Sequence, residues 1–244
     1  MARIELSGKK LEVMNLHWAG KSYLEIAEEL GKPYDTVYGI VQRYKDVKLP
    51  QLEAAPVVRK PTIFVIGDTQ CKQGISLDYL HWVGHYISTK RPDIIIHIGD
   101  HYDMASLSSY DKGQLSAEGR RVKADIEAGD KGIEILEHYI ASVPNYNPRK
   151  IVTLGNHEER IDRFVNLNPE FEGLLGSDKL AFSDHDWEVY PFLTPVNVCG
   201  INFVHFVQNG MTGKPLGGTV MTRLKNVGES FVMGHQQVLD HCLR

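Results

Sequence analysis

Five short apolar runs in this chain end alike, at a side chain able to ligate a metal and mostly after a glycine. Thr62-Ile63-Phe64-Val65-Ile66 runs into Gly67-Asp68, Ile94-Ile95-Ile96-His97-Ile98 into Gly99-Asp100, and Ile151-Val152-Thr153-Leu154 into Gly155-Asn156. Ile201-Asn202-Phe203-Val204 ends at His205, and Ser230-Phe231-Val232-Met233 at Gly234-His235. Continuous β-branched runs of this length read as strands covered on both faces. Helical periodicity over residues 77–90 and 117–141 separates the first three runs, and a further helical stretch, 157–166, follows the third. Strands alternating with helices predict an α/β layered domain.

In such sheets, ligands gather beyond the carboxyl ends of the strands. One Gly-Asp after a strand is ordinary turn chemistry. Five strand ends carrying Asp68, Asp100, Asn156-His157, His205 and His235 are not explained by turn propensity. The donors are carboxylate, amide oxygen and imidazole, without thiolate. That set suits manganese, iron, zinc or magnesium rather than a cysteine-based structural zinc.

Gly67-Asp68-Thr69-Gln70, Gly99-Asp100-His101-Tyr102-Asp103, Gly155-Asn156-His157-Glu158, His205 and Gly234-His235-Gln236-Gln237 together resemble the five blocks of the calcineurin-like metallophosphoesterases. The resemblance covers about residues 61–237. It implies a two-sheet βαβ sandwich flanked by helices around a site for two divalent ions, with manganese the first choice. Asp100 resembles the carboxylate that bridges both metals. Asn156, His205 and His235 resemble the other ligands of one metal, and Asp68 a ligand of the second. His157 resembles the histidine that contacts the substrate phosphate and protonates the leaving oxygen, with Asp103 as its partner carboxylate. The chemistry implied is attack of metal-bound hydroxide on a phosphate ester.

The chain departs from that family at two positions. Gln70 and Gln237 stand where histidines would complete the second metal's shell. A neutral amide oxygen is a weaker, harder ligand than imidazole. The second site is therefore expected to be weak and retuned, or lost. Only seven residues follow Gln237, where related folds continue with further strands. The second sheet is then shortened, or the chain is a fragment. His97 is expected beside the site or in the sheet, and His101 is a candidate substrate contact. Arg120, Arg121 and Lys123 read as the solvated face of a helix. The loop around Lys214 and Gly217-Gly218 is a candidate lid.

Residues 1–46 read as a small all-α, tri-helical domain. Leu11, Val13, Met14 and Leu16 begin one amphipathic segment, broken at Ala19-Gly20. Ser22-Tyr23-Leu24-Glu25 has the form of a capping box opening a helix from Tyr23 to Leu30. Gly31 closes it, and a third helix follows Pro33. The pattern matches a helix-turn-helix unit, in which Tyr34, Thr36, Tyr38 and Arg43 are the candidate nucleic-acid contacts. Its charge is nearly balanced: residues 1–48 hold eight basic and seven acidic side chains. Residues 47–60, with Pro50 and Pro56, read as a linker, and 61–244 as the phosphoesterase-like domain.

A net charge of -4 excludes a chain that binds polyanions over its whole surface. Three scattered cysteines form no CxxC pair, no signal peptide is evident, and no apolar run is long enough to span a bilayer. The expected setting is cytoplasmic. The expected activity is phosphodiester hydrolysis, nuclease-like, with nucleic acid as substrate or partner. The alternatives are a phosphomonoesterase or protein phosphatase, and a non-catalytic DNA-binding protein with a degenerate site.

Overall fold

The computed structural model describes residues 8–45, 59–110 and 112–243. The chain divides into two compact units, Met1–Arg59 and Lys60–Arg244. Most of the expected linker lies outside the described residues.

In the first unit, α1 (Lys9–Trp18), α2 (Tyr23–Leu30) and α3 (Tyr34–Tyr44) close on one apolar cluster. Val13 and Met14, Ile26 and Ala27, and Val37 and Val41 supply it, a pair from each helix. The capping box forms as read: Ser22 Oγ accepts from Glu25 N–H at 3.4 Å, and Glu25 Oε2 accepts from Ser22 N–H at 2.8 Å. Gly31 ends α2 in the left-handed conformation at φ 59°, which costs glycine nothing and lets the chain turn into α3.

The second unit begins with β1 (Ile63–Ile66), α4 (Asp78–Lys90), β2 (Ile94–His97), α5 (Val122–Ala141), β3 (Arg149–Thr153) and α6 (Glu159–Leu167). It continues with β4 (Glu188–Tyr190), β5 (Val196–Val198), β6 (Ile201–Val204), α7 (Val220–Val227) and β7 (Phe231–Met233). One sheet is parallel in the order β1-β2-β3-β4. The other has the order β5-β6-β7, with β5 and β6 antiparallel and β6 and β7 parallel.

The strand side chains alternate between two cores, as a period of two requires. Ile95 and Val152 point to Leu80 and Ile87 of α4 and to Ile133, Leu136 and Ile140 of α5. Ile94, Ile96, Ile98 and Ile151 meet Val196, Val198 and Phe203 of the second sheet. Burial on both faces explains why Ile94, Ile95 and Ile96 follow one another without a polar break in β2. Each such side chain adds about 1.5–3 kcal/mol relative to an exposed position.

Strands β4 and β5 and helix α7 escaped the sequence reading. Each is three to eight residues long and only partly apolar. The loop read as a candidate lid is a local turn: Gln208 and Pro215 pair, Asn209 N–H donates to Lys214 O at 2.8 Å, and α7 follows at once. One other expectation is corrected: the basic run is not one helical face. Helix α5 starts at Val122, and Arg120 uses Nη1 to bind the carbonyl of Ala105 at 3.0 Å. Lys123 alone lies on the helix, 3.6 Å from Glu127.

Candidate metal centre

The parallel strands bring β2, β3, β6 and β7 to a common edge, and the residues just past their ends meet there. Asp100, after β2, is buried and left-handed at φ 51°. Its predecessor Gly99 has φ 88° and lies so close to Thr153 O and Gly155 N that a Cβ would stand 2.5 Å from each. Asp100 Oδ1 accepts the N–H of His157 at 2.9 Å. Oδ2 is left facing His205 Nε2 at 3.3 Å.

His205 is fully buried. Its Nδ1 is 2.8 Å from the carbonyl of Ile98, which can only accept, so Nδ1 carries the hydrogen. In the neutral ring Nε2 is then a lone pair. It faces two further acceptors, Asp100 Oδ2 and Asn156 Oδ1, the latter at 3.0 Å. His235 adds a fourth candidate ligand: ligand atoms of Asp100, His205 and His235 all lie within 4.8 Å of one another.

Convergent lone pairs repel unless something positive stands among them. In the absence of metal, a proton on His205 Nε2 can do so. Burial works against a charged His205 ring, but the hydrogen bond and charge of Asp100 outweigh it and raise the His205 pKa. Burial likewise opposes the Asp100 charge, and His205 and His157 outweigh it and lower the Asp100 pKa. A divalent cation satisfies the same acceptors, so this donor set fits a metal.

His157 stands over the cluster. Its Nε2 is 3.7 Å from Asp100 Oδ2, and its Nδ1 is 3.2 Å from Asp103 Oδ1. The second contact is at ion-pair distance but poorly aligned, and Nδ1 is buried without a hydrogen bond. Asp103 is shared with Lys72, whose Nζ is 3.2 Å from Oδ2. Burial pushes the Asp103 carboxyl up, and His157 and Lys72 together bring it below its ordinary value.

Residues 61–238 match the family model described as calcineurin-like phosphoesterase. The chain belongs to the calcineurin-like phosphoesterase family. Residues 7–52 match the model of a homeodomain-like helix-turn-helix domain. Comparisons with curated proteins and with solved structures give no match. Like its family, this calcineurin-like phosphoesterase carries a candidate site for divalent metal.

The second-metal residues are arranged differently. Both oxygens of Asp68 accept the backbone N–H of His235, at 3.1 and 2.9 Å. Burial raises the Asp68 pKa, the His235 N–H opposes this, and the nearby Asp100 charge adds to it. Gln70 is left-handed at φ 46° and gives its N–H to Asp100 O at 2.8 Å. Gln237 is left-handed at φ 49° and exposed. No hydrogen bond joins either glutamine side chain to Asp68 among the described residues.

His101 is corrected from substrate contact to interior residue. It is fully buried, and its Nε2 donates to Gly129 O at 2.9 Å. Helix α5 comes this close because Gly129 and Gly132 lack side chains; a Cβ on Gly132 would stand 2.8 Å from His101 Nε2. His97 is also fully buried, with Nδ1 accepting from Gly99 N–H at 3.2 Å. Thr69 Oγ1 stands between the rings, 3.1 Å from His97 Nε2 and 2.7 Å from His101 Nδ1. The hydrogens therefore run one way, from His97 to Thr69 to His101 to Gly129. Sequence reading missed this chain, and it missed Glu158. An acidic residue before a helix reads as a partner of the helix dipole, whereas Glu158 is fully buried.

Proposed function

We propose that this chain hydrolyses phosphodiester bonds of nucleic acid, with Asp100, Asn156, His205 and His235 holding the metal, manganese by preference. The observation that carries the reading is the convergence of Asp100 Oδ2, Asn156 Oδ1 and His205 Nε2, an arrangement of acceptors that a cation would reconcile. When bound there, a divalent cation supplies Lewis-acid stabilisation of a phosphoryl oxygen and lowers the pKa of water.

The protein's own groups do the rest. His157 faces the centre with Nε2 and is placed to donate a proton to the leaving oxygen. Asp103 stands 3.2 Å from Nδ1 and is placed to hold the ring. Lys72 binds the other oxygen of Asp103 and keeps cationic charge at the rim, where a phosphate backbone would pass. Asp68, Gln70 and Gln237 form a second metal site of weaker affinity.

The homeodomain-like unit supports nucleic acid as substrate. Tyr34 and Tyr38 stand one turn apart on α3, half exposed, with their rings stacked at 6.4 Å. Thr36 and Arg43 lie on the same helix, and Arg43 is exposed. In helix-turn-helix units this element enters the major groove.

The test is hydrolysis of bis-p-nitrophenyl phosphate, p-nitrophenyl phosphate and single-stranded DNA, with manganese and again after chelation. Metal-dependent cleavage of the diester and the DNA, faster than the monoester, is expected. Preference for the monoester would select a phosphomonoesterase. No hydrolysis with DNA binding intact would select a non-catalytic DNA-binding protein.

A further inference from the structure

Three consecutive backbone N–H groups, those of Asp100, His101 and Tyr102, converge on one carboxylate. Glu158 Oε2 accepts from Asp100 at 3.0 Å, and Oε1 accepts from His101 at 2.7 Å and Tyr102 at 2.9 Å. A fourth donor, Gly155 N–H, reaches Oε2 at 2.8 Å. A carboxylate has about four acceptor positions, and here four amides fill them, all away from solvent. Successive N–H groups turn to one side because Gly99 and Asp100 are left-handed, which shapes the backbone into an anion-binding concavity. Such concavities usually take a phosphate or another external anion. In this chain the anion is internal.

The clasp is reciprocal. Glu158 holds the backbone of Asp100, and the Asp100 side chain in turn accepts the N–H of His157 through Oδ1 at 2.9 Å. Gly155 closes the gap, with no room for a side chain: a Cβ there would lie 2.1 Å from Asp100 Oδ1. With one oxygen occupied and the backbone pinned, Asp100 Oδ2 has a single direction left, toward His205 and Asn156.

We propose that Glu158 is a positioning residue, whose buried carboxylate fixes the Asp100 loop so that Oδ2 is aimed at the metal before any metal arrives. The proposal rests on the metal-centre reading above. Replacing Glu158 by Gln would turn an amide NH2 against two backbone donors, keep the side-chain shape, and free the loop.

The experiment titrates manganese by calorimetry into chelator-stripped full-length protein. Three chains are compared: wild type, Glu158→Gln, and Leu136→Ala, which opens a cavity in the α5 core away from the centre. Glu158→Gln is expected to bind manganese about 10- to 100-fold more weakly, the range for groups that orient ligands. Leu136→Ala, with a lowered Tm, is expected to keep wild-type affinity. Wild-type affinity in Glu158→Gln, or an equal loss in Leu136→Ala, overturns the proposal. If wild type takes up no manganese, the metal-centre reading itself fails, and the proposal with it. Should Glu158→Gln not fold, amide hydrogen exchange on metal-free wild type decides. Slow exchange of the Asp100, His101, Tyr102 and Gly155 amides as one group supports preorganisation. Fast exchange that slows only on adding manganese overturns it.

Discussion

Asp100 Oδ2 and His205 Nε2 face each other at 3.3 Å, although the other nitrogen of His205 is already committed to the carbonyl of Ile98. One proton or one cation can reconcile the pair. This competition makes Asp100→Asn informative. An amide NH2 in place of Oδ2 donates to His205 Nε2 and does the proton's work, so the metal-free variant keeps a Tm close to that of wild type. It offers no charge to a metal. Manganese affinity falls by more than the roughly 100-fold expected for groups that merely orient ligands. Isothermal titration and a thermal melt with chelator check both halves. Wild-type affinity in the variant would remove Asp100 from the centre.

His157 stands 3.7 Å from Asp100 Oδ2 but keeps its other nitrogen for Asp103. As a proton donor rather than a ligand, it can be replaced without loss of metal. In His157→Asn, manganese content stays unchanged and kcat falls by about 10²–10⁴ on a substrate with an alcohol leaving group, the usual contribution of general acid catalysis. The loss is smaller on bis-p-nitrophenyl phosphate, since p-nitrophenolate needs less help to depart. Equal losses on both substrates would argue against the proton-donor role.

The second metal site can be tested by restoring imidazole. Gln70 and Gln237 are left-handed at φ 46° and 49°, a conformation that histidine tolerates better than most side chains. Gln70→His/Gln237→His therefore folds, and its manganese stoichiometry rises above that of wild type. Elemental analysis after gel filtration reads it. An unchanged stoichiometry would show that Asp68 serves the His235 backbone and not a metal.

Arg43 is exposed on α3 of the homeodomain-like unit. If it binds a phosphate, Arg43→Ala weakens double-stranded DNA binding uniformly across sequences and lowers the slope of log K against log salt by about 1. Turnover of bis-p-nitrophenyl phosphate is unaffected. Loss of affinity for one sequence alone would indicate base reading instead.

The strands and their terminal residues were legible because burial on both faces demands unbroken apolar runs, and because Asp100, Asn156, His205 and His235 each lie within three residues of a strand end. The capping box at Ser22 and Glu25 was legible for a related reason: both partners lie within one helical turn. What stayed hidden depends on contacts between distant segments. Glu158 lies 58 residues from Asp100, and its sequence neighbours Glu159 and Arg160 make it look like part of a solvated helix start. His101 looks like an active-site residue by its place in the block. It is turned inward by Thr69 and by the bare surface of α5 at Gly129 and Gly132, which no local pattern announces.

Those inward histidines have a measurable consequence. Burial lowers the His101 pKa to about 4 and places that of His97 well below its ordinary value, with the charge of His101 adding to the effect at His97. His235 is lowered too, by burial first and then by His205. In the unfolded chain each titrates near 6.5. As pH falls below about 6.5, the unfolded state takes up protons that the folded state refuses, so stability is complete above that pH and drains away on the way down to about 4. Each refused proton contributes a slope of about 1.4 kcal/mol per pH unit. His205 acts in the opposite sense, because Asp100 raises its pKa despite burial, and adds stability as pH falls. Three imidazoles are lowered and one is raised. Urea unfolding of the chelated protein at pH 7, 6 and 5 should therefore show a falling midpoint. A midpoint that is flat or rises toward pH 5 would mean that the His97–Thr69–His101 chain takes up a proton in the folded state.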